Sequence, residues 1–236
     1  MFTESAELYD LIYSSFKNYV AEAEQVDALL STVHPQCRSI LDVACGTGEH
    51  ARLLAQNFGY DVDGLDLNPD FVRIARTKHP TGRFVVADMA AFRLERQYDA
   101  VLCLFSSIGY LRTLDAVQQA FECFREHLTS DGVLVVEPWF PPGILEHGHR
   151  SSRTAETPSL RVLREGTTEI TDRLSRLRFE YTIETHGQTR HATEVHELGL
   201  FTVAELLETF TAAGLDARHE THGLMGRGLY VAKIRA

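Results

Sequence analysis

The sequence predicts an α/β fold: a doubly wound, mostly parallel sheet into which an antiparallel β layer is inserted. Three observations carry that prediction. Short, almost continuously apolar stretches alternate with amphipathic ones from Ser39 to Trp139, the pattern of parallel strands covered by helices on both faces. A glycine turn, LDVACGTGEH, follows the first of these strands, leaving bare backbone where a ligand can approach closely. After Trp139 the apolar period shortens to two, which marks half-buried antiparallel strands.

Residues 1–36 read as one helix, because Tyr9, Ile12, Phe16, Val20 and Ala23 recur at three- and four-residue spacing and Pro35 closes the run. SILDVACG is the first strand, and EHARLLAQNF is a helix stopped by Gly59. DVDGLDL is the second strand; PDFVRIARTKH is a helix with Pro69 in its first turn. GRFVVADM and YDAVLCLFSS read as strands three and four, LDAVQQAFECFREHL as a helix and GVLVVEPW as strand five. FPPGILEHGHRSSRTAETPS is rich in Pro, Gly, Ser and His and reads as a loop. RLSRLRFEYTIE and HATEVHELGLF then alternate apolar and polar residues around the turn HGQT. The helix TVAELLETFTAAG, a strand at LDARHET, the turn HGLMGRG and the strand LYVAKIR finish the chain. The expected division is a ligand-binding core with an N-terminal lid helix over 1–140 and an inserted layer for substrate or oligomer contact over 141–199. A C-terminal helix and hairpin over 200–236 would complete the core.

Composition narrows the function. Lys and Arg number 23 against 33 Asp and Glu, for a formal net charge of −10, which disfavours nucleic acid as the partner. MFTESAELYD has neither a basic nor an apolar leader, and no run approaches the roughly 18–20 apolar residues of a membrane span. A cytoplasmic protein with no membrane partner is expected. Cys37, Cys45, Cys103 and Cys123 lack C-x-x-C spacing, so the expectation is buried, reduced thiols and no metal.

Ligands of doubly wound sheets bind at the carboxyl ends of the strands, and three of those ends carry acids. Strand one runs through Asp42 into Gly46 and Gly48, strand two ends at Asp66, and strand three ends at Asp88 and Met89. The turn lacks both the third glycine of G-x-G-x-x-G and the Gly-Lys-Ser/Thr of a phosphate loop. An acid about 20 residues past such a turn suits ribose hydroxyls, each of which can donate it a charge-assisted hydrogen bond.

This set resembles the class I S-adenosylmethionine-dependent methyltransferases: LDVACGTG is similar to their first motif, Asp66 to their ribose acid, and Asp88-Met89 to their adenine-side pair. The resemblance implies a Rossmann-like sheet of seven strands with the last one reversed, and S-adenosyl-L-methionine as cofactor. It implies cofactor contacts from Tyr9, Asp42, Ala44, Gly46, Gly48, Asp66, Leu67, Asp88, Met89 and Leu104. LYDLIY, LFSSIGYL, LVVEPW, ELGLFT and GRGLYVA resemble more narrowly the N,N-dimethyltransferases of nucleotide-linked amino-deoxysugars in macrolide antibiotic biosynthesis. That similarity runs nearly end to end and is weakest between Pro141 and Glu184. It implies N-methylation of a sugar amine, with a homodimer as one possible assembly. Another small-molecule N- or O-methyltransferase and a non-catalytic cofactor-binding subunit are the competing readings.

The glycine- and arginine-bearing stretch of that family is SSFKNY here, which leaves Lys17 as the cation for the cofactor carboxylate. Tyr9, Tyr110 and His196 are the candidate catalytic residues, orienting the amine or taking its proton. Tyr9 and Tyr13 equally fit a helix core, and a lone histidine on a strand equally fits a surface. Ser106, Tyr110, Trp139, Arg178 and Arg227 are the candidate substrate contacts. Trp139 suits a pocket wall or the core; Arg227, between two glycines, suits a substrate diphosphate or the fold itself. Arg161, Arg164 and Arg178 are placed to share a diphosphate's charge.

Overall fold

The computed structural model describes residues 8–235. The apolar runs form β1 (Ser39–Val43), β2 (Asp61–Asp66), β3 (Phe84–Val86), β4 (Tyr98–Cys103) and β5 (Leu128–Val136). These five are parallel neighbours, and β10 (Leu215–Glu220) and β11 (Leu229–Ile234) extend them into one seven-stranded sheet. Its order is β10-β11-β5-β4-β1-β2-β3, with β11 antiparallel to both β5 and β10. The strand order therefore reverses at β1, between β2 and β4, and the crevice outside that switch point is where such sheets take ligands.

Successive strand residues serve opposite cores. Ile40, Val133 and Val135 pack in the cluster that holds α1 (Tyr9–Ser14), α2 (Tyr19–Val33) and α3 (Glu49–Phe58). Leu41, Leu134 and Val136 pack with α5 (Leu114–Glu126) and α6 (Val203–Ala212). The second core centres on Phe121 stacked on Phe210, with ring centroids 3.9 Å apart and planes 11° apart. Such a pair adds about 0.5–1.5 kcal/mol beyond its buried area. The helix ends follow their sequence signals: Asn68 caps α4 (Pro69–Lys78) with Pro69 at its start, and Thr202 and Glu205 form a reciprocal capping box on α6.

The N-terminal segment departs from the single helix its periodicity predicts. Helix α1 stops at Ser14, and Asn18 starts α2 afresh by accepting the Ala21 N–H at 3.1 Å. An asparagine that satisfies a free helix N–H stabilises a new start more than continued helix. Phe16 and Val20 of the expected apolar stripe are consequently exposed. Residues 1–7 of the expected helix lie outside the described residues.

A second, four-stranded antiparallel sheet is built in the order β6 (Arg150–Thr157), β7 (Leu160–Thr171), β8 (Leu174–Thr185) and β9 (Gln188–Gly199). Strand β6 takes 8 residues of the stretch that reads as a loop. It is an edge strand whose only buried residue is Ala155, so polar composition keeps it from pairing further and hides its period. Strand β3 is likewise shorter than GRFVVADM suggests, and β5 starts four residues ahead of GVLVVEPW.

Candidate active site

The turn after β1 bends through left-handed backbone at Ala44, Gly46 and Gly48, with φ of 55°, 56° and 74°. The two glycines have different reasons. A Cβ on Gly46 would meet nothing within 4 Å, whereas one on Gly48 would come within 2.8 Å of the Ala75 Cβ. Gly48 thus lets α3 pack on α4, contrary to its expected place on the ligand wall. Gly46 is the residue that keeps the approach clear. It lines a cleft of about 840 Å³ together with Tyr9, Ala44, Asp66, Leu67, Asp88 and Met89, a volume in the upper part of the range for small-molecule sites.

Asp66 fixes this wall from the end of β2. Its Oδ2 accepts the Gly46 N–H at 2.9 Å and its Oδ1 the Asn68 N–H at 2.8 Å. Burial pushes the Asp66 carboxyl up, against the pull of those two bonds. Asp88 turns its Oδ1 onto the Ala90 N–H at 2.9 Å. Tyr9 packs against Tyr13 and Phe71, with centroids at 4.3 and 5.0 Å, and so closes the cleft from α1.

A recess runs deeper, bordered by Tyr9, Tyr19, Asp42, Leu104 and Phe105. Asp42 is buried, its Oδ2 has no hydrogen-bond partner among the described residues, and burial pushes its carboxyl up to about 6. Lys17 does not face this space as expected. Its ammonium is ion-paired with Glu22, which also lies 2.9 Å from His50 Nε2, and it sits over the rings of Phe105 at 4.2 Å and Tyr19 at 4.7 Å. A buried carboxylate on α2 needs a counter-charge, and Lys17 supplies it. Burial also pulls the Lys17 ammonium down from its usual range.

The other wall comes from the loop after β4 and from the inserted sheet. Phe105 and Ser106 both adopt positive φ, 53° and 64°. Ser106 lines the cleft, but its hydroxyl donates to the Pro138 carbonyl at 2.6 Å and so shapes the loop. The Tyr110 hydroxyl lies 2.9 Å from His196 Nδ1. His196 is 1 % exposed, which overturns the surface alternative, and burial lowers its pKa. It is neutral at neutral pH. Its Nε2 is 3.6 Å from Glu194, which accepts the Tyr181 hydroxyl at 3.1 Å. Desolvation raises the phenols of Tyr110 and Tyr181, so both stay protonated.

Trp139 is half-buried on the same wall and donates its indole N–H to Ser175 at 2.8 Å. Arg227 also lines the cleft, its guanidinium 3.3 Å from the fully buried Glu137 and over the rings of Phe105 and Trp139 at 5.3 and 5.8 Å. Arg178 does not line the cleft. It points outward to Glu180 at 3.1 Å while its neighbours Leu177 and Phe179 line the cleft, because successive strand side chains alternate faces. Three contributors escape the sequence reading as site residues: Phe16 of the interhelical link, Glu194 of β9 and Glu137 after β5; Arg164 of β7, one of the arginines expected to share a diphosphate's charge, does line the cleft. The period-two signal of the inserted strands contains the two strand residues, but only knowledge of which face turns inward selects them.

This donor set suits a cationic nucleoside ligand. Gly46 leaves room for close approach, Asp66 offers carboxylate oxygens beside it, Asp42 holds an unsatisfied oxygen at the recess, and aromatic rings favour a cation.

A methyltransferase-domain family model matches residues 40–132. The chain is 38% identical to the dTDP-3-amino-3,4,6-trideoxy-alpha-D-glucopyranose N,N-dimethyltransferase of Streptomyces venezuelae over 97% of each chain. It is 40% identical to the dTDP-3-amino-3,6-dideoxy-alpha-D-glucopyranose N,N-dimethyltransferase of Streptomyces fradiae, over 96% of this chain and 89% of that one. Among solved structures, DesVI of Streptomyces venezuelae superposes with a TM-score of 0.92 at 36% identity, covering 100% of both chains. The S-adenosylmethionine-bound amino pentose methyltransferase CalS10 from Micromonospora echinaspora superposes at 0.85 with 31% identity, over 98% of this chain and 97% of that one. Fold and site together define a class I S-adenosylmethionine-dependent methyltransferase. Within that class, the chain belongs to the family of the nucleotide-linked amino-sugar N,N-dimethyltransferases.

Proposed function

We propose that this chain N-methylates the amine of a nucleotide-linked amino-deoxysugar, with S-adenosyl-L-methionine as the methyl source. One observation carries the reading: the likeness to the sugar dimethyltransferases spans 97% of the chain and so includes the inserted sheet, which walls the acceptor half of the cleft. When bound, the cofactor would supply a sulfonium-bound methyl group, which an amine takes by in-line attack at the methyl carbon as the C–S bond breaks and the thioether leaves.

The chain's own residues position the reactants. Asp66 and Gly46 hold the ribose, Leu67, Asp88 and Met89 border the adenine, and Ala44, Asp42 and Leu104 border the amino-acid end. Tyr9 covers the cofactor from α1. The acceptor nitrogen must arrive uncharged with its lone pair on the axis of displacement. Tyr110, hydrogen-bonded to neutral His196, orients that nitrogen and can accept its proton while passing its own to Nδ1. Neither group is a strong base, so positioning supplies most of the rate; well-held pairs reach effective molarities on the order of 10⁵–10⁸ M.

The test is S-adenosylhomocysteine release with a dTDP-linked amino-deoxysugar, set against the free amino sugar and unrelated amines and hydroxyls. Product mass counts the methyls. Turnover that favours the nucleotide-linked amine is expected. Preference for an unrelated amine or hydroxyl, or cofactor binding without turnover on any acceptor, would sink the proposal.

A further inference from the structure

We infer that Arg164 of β7 and Arg153 of β6 are the clamp for the diphosphate of the acceptor, an assignment that rests on the nucleotide-linked substrate proposed above. Arg164 is 8 % exposed and lines the cleft. Its guanidinium lies over three rings, Phe179 at 4.6 Å, Tyr13 at 5.3 Å and Phe16 at 5.7 Å. The Tyr13 hydroxyl also accepts a hydrogen bond from it; the rings attract the cation but supply no anionic oxygen. One terminal nitrogen, Nη1, is buried without a hydrogen-bond partner, and Arg164 enters no ion pair among the described residues. A buried cation left without an oxyanion is costly; the same position becomes favourable once an anion enters the cleft.

Arg153 adds a second, independent observation. It pairs directly across from Arg164 in the β6–β7 register, so both side chains leave the same face, and its guanidinium lies 5.4 Å from the Phe16 ring that Arg164 also covers. Like charges set opposite one another on a sheet destabilise it. A diphosphate relieves that repulsion and offers each guanidinium a pair of oxygens. Arg227, the other arginine deep in the cleft, is less suited, since Glu137 already balances its charge at 3.3 Å. Nor does Arg164 border the recess around Asp42, which separates it from the amino-acid end of the cofactor site.

The probe is dTDP alone, titrated calorimetrically into wild type, Arg164→Gln, Arg153→Gln and Arg227→Gln. Arg164→Gln should weaken dTDP by roughly 10- to 100-fold, the size of a lost charged hydrogen bond. Arg153→Gln should weaken it less, and both should flatten its salt dependence. Unchanged cofactor affinity checks the fold, and if Arg164→Gln does not fold, the exposed Arg153→Gln carries the test through salt dependence. Unchanged dTDP binding in Arg164→Gln, a larger loss in Arg227→Gln, or no dTDP binding by wild type would overturn the clamp. Amino-sugar turnover by wild type scores the other reading separately. Turnover with dTDP binding insensitive to Arg164 removes the clamp alone, whereas an Arg164-dependent dTDP site without turnover keeps the clamp and removes the acceptor.

Discussion

The two walls of the cleft are made in different ways. The wall around the glycine turn is mostly main chain: a turn with three left-handed residues, a carboxylate that ties Gly46 to Asn68, and an Asp88 folded back on its own backbone. The wall from the inserted sheet is mostly side chain, with Arg164, Phe179 and His196 projecting into the cleft from three neighbouring strands. In the first wall an added atom either enters the open approach, as at Gly46, or strikes the neighbouring helix, as at Gly48. In the second, a side chain can be exchanged while the strand stays put. The contrast teaches how one fold can keep its cofactor fixed and let its acceptor vary.

Five substitutions test that contrast, taken from the largest expected effect to the smallest. Gly46→Val should abolish cofactor binding while the protein stays folded, since the new side chain enters the open approach and adds strain of about 1–3 kcal/mol at positive φ. Normal binding by this variant, read by calorimetry, would make the turn a mere connection. Asp66→Ala should weaken the cofactor by roughly 1.5–3 kcal/mol; a folded variant of unchanged affinity removes Asp66 from the site. On the opposite wall, Tyr110→Phe and His196→Asn should each lower turnover by less than about 100-fold, at the lower edge of what general-base loss costs. Rate should rise with pH until the substrate amine is deprotonated. A 10⁴-fold loss with the fold intact, on the scale at the top of general-base contributions, would mean that one of the two is an obligatory base. Arg178→Ala should leave kcat and KM within about twofold, as for surface changes away from a site. A large change in KM would return this residue to the substrate.

The same contrast explains what could be read from the sequence. That Gly46, Asp66, Asp88 and Met89 line the cleft is legible because the main-chain wall is local: glycine spacing and strand-end acids announce it with no knowledge of register. The outward turn of Arg178 is not legible, because a period of two defines two faces and does not say which one turns inward. Arg164 and Arg178 are equally basic and equally inside strands, and only assembly separates them. The pairing of Lys17 with Glu22, five residues on across a helix break, is not legible, because the periodicity carries no sign of that break. His196 came out better than a lone strand histidine promised. Strand β6 was hidden by the very polarity that suits an edge.

Asp42 has a consequence for how long the protein lasts. In the chain without ligand, its carboxyl holds a proton up to about 6, whereas in the unfolded chain it would release it near 3.9. The folded state therefore binds the proton more tightly, and the stability this lends is fully present below pH ~4 and disappears as pH rises through about 6. Two pH units amount to roughly 3 kcal/mol. At neutral pH the resting chain carries a buried negative charge it would rather not have, and a cationic ligand at the recess removes that burden. Melting temperature with and without cofactor should diverge as pH climbs from 5 to 8, and Asp42→Asn should flatten the pH dependence of the ligand-free chain. Starved of cofactor, the enzyme would be the weaker substrate for survival and the better one for proteases.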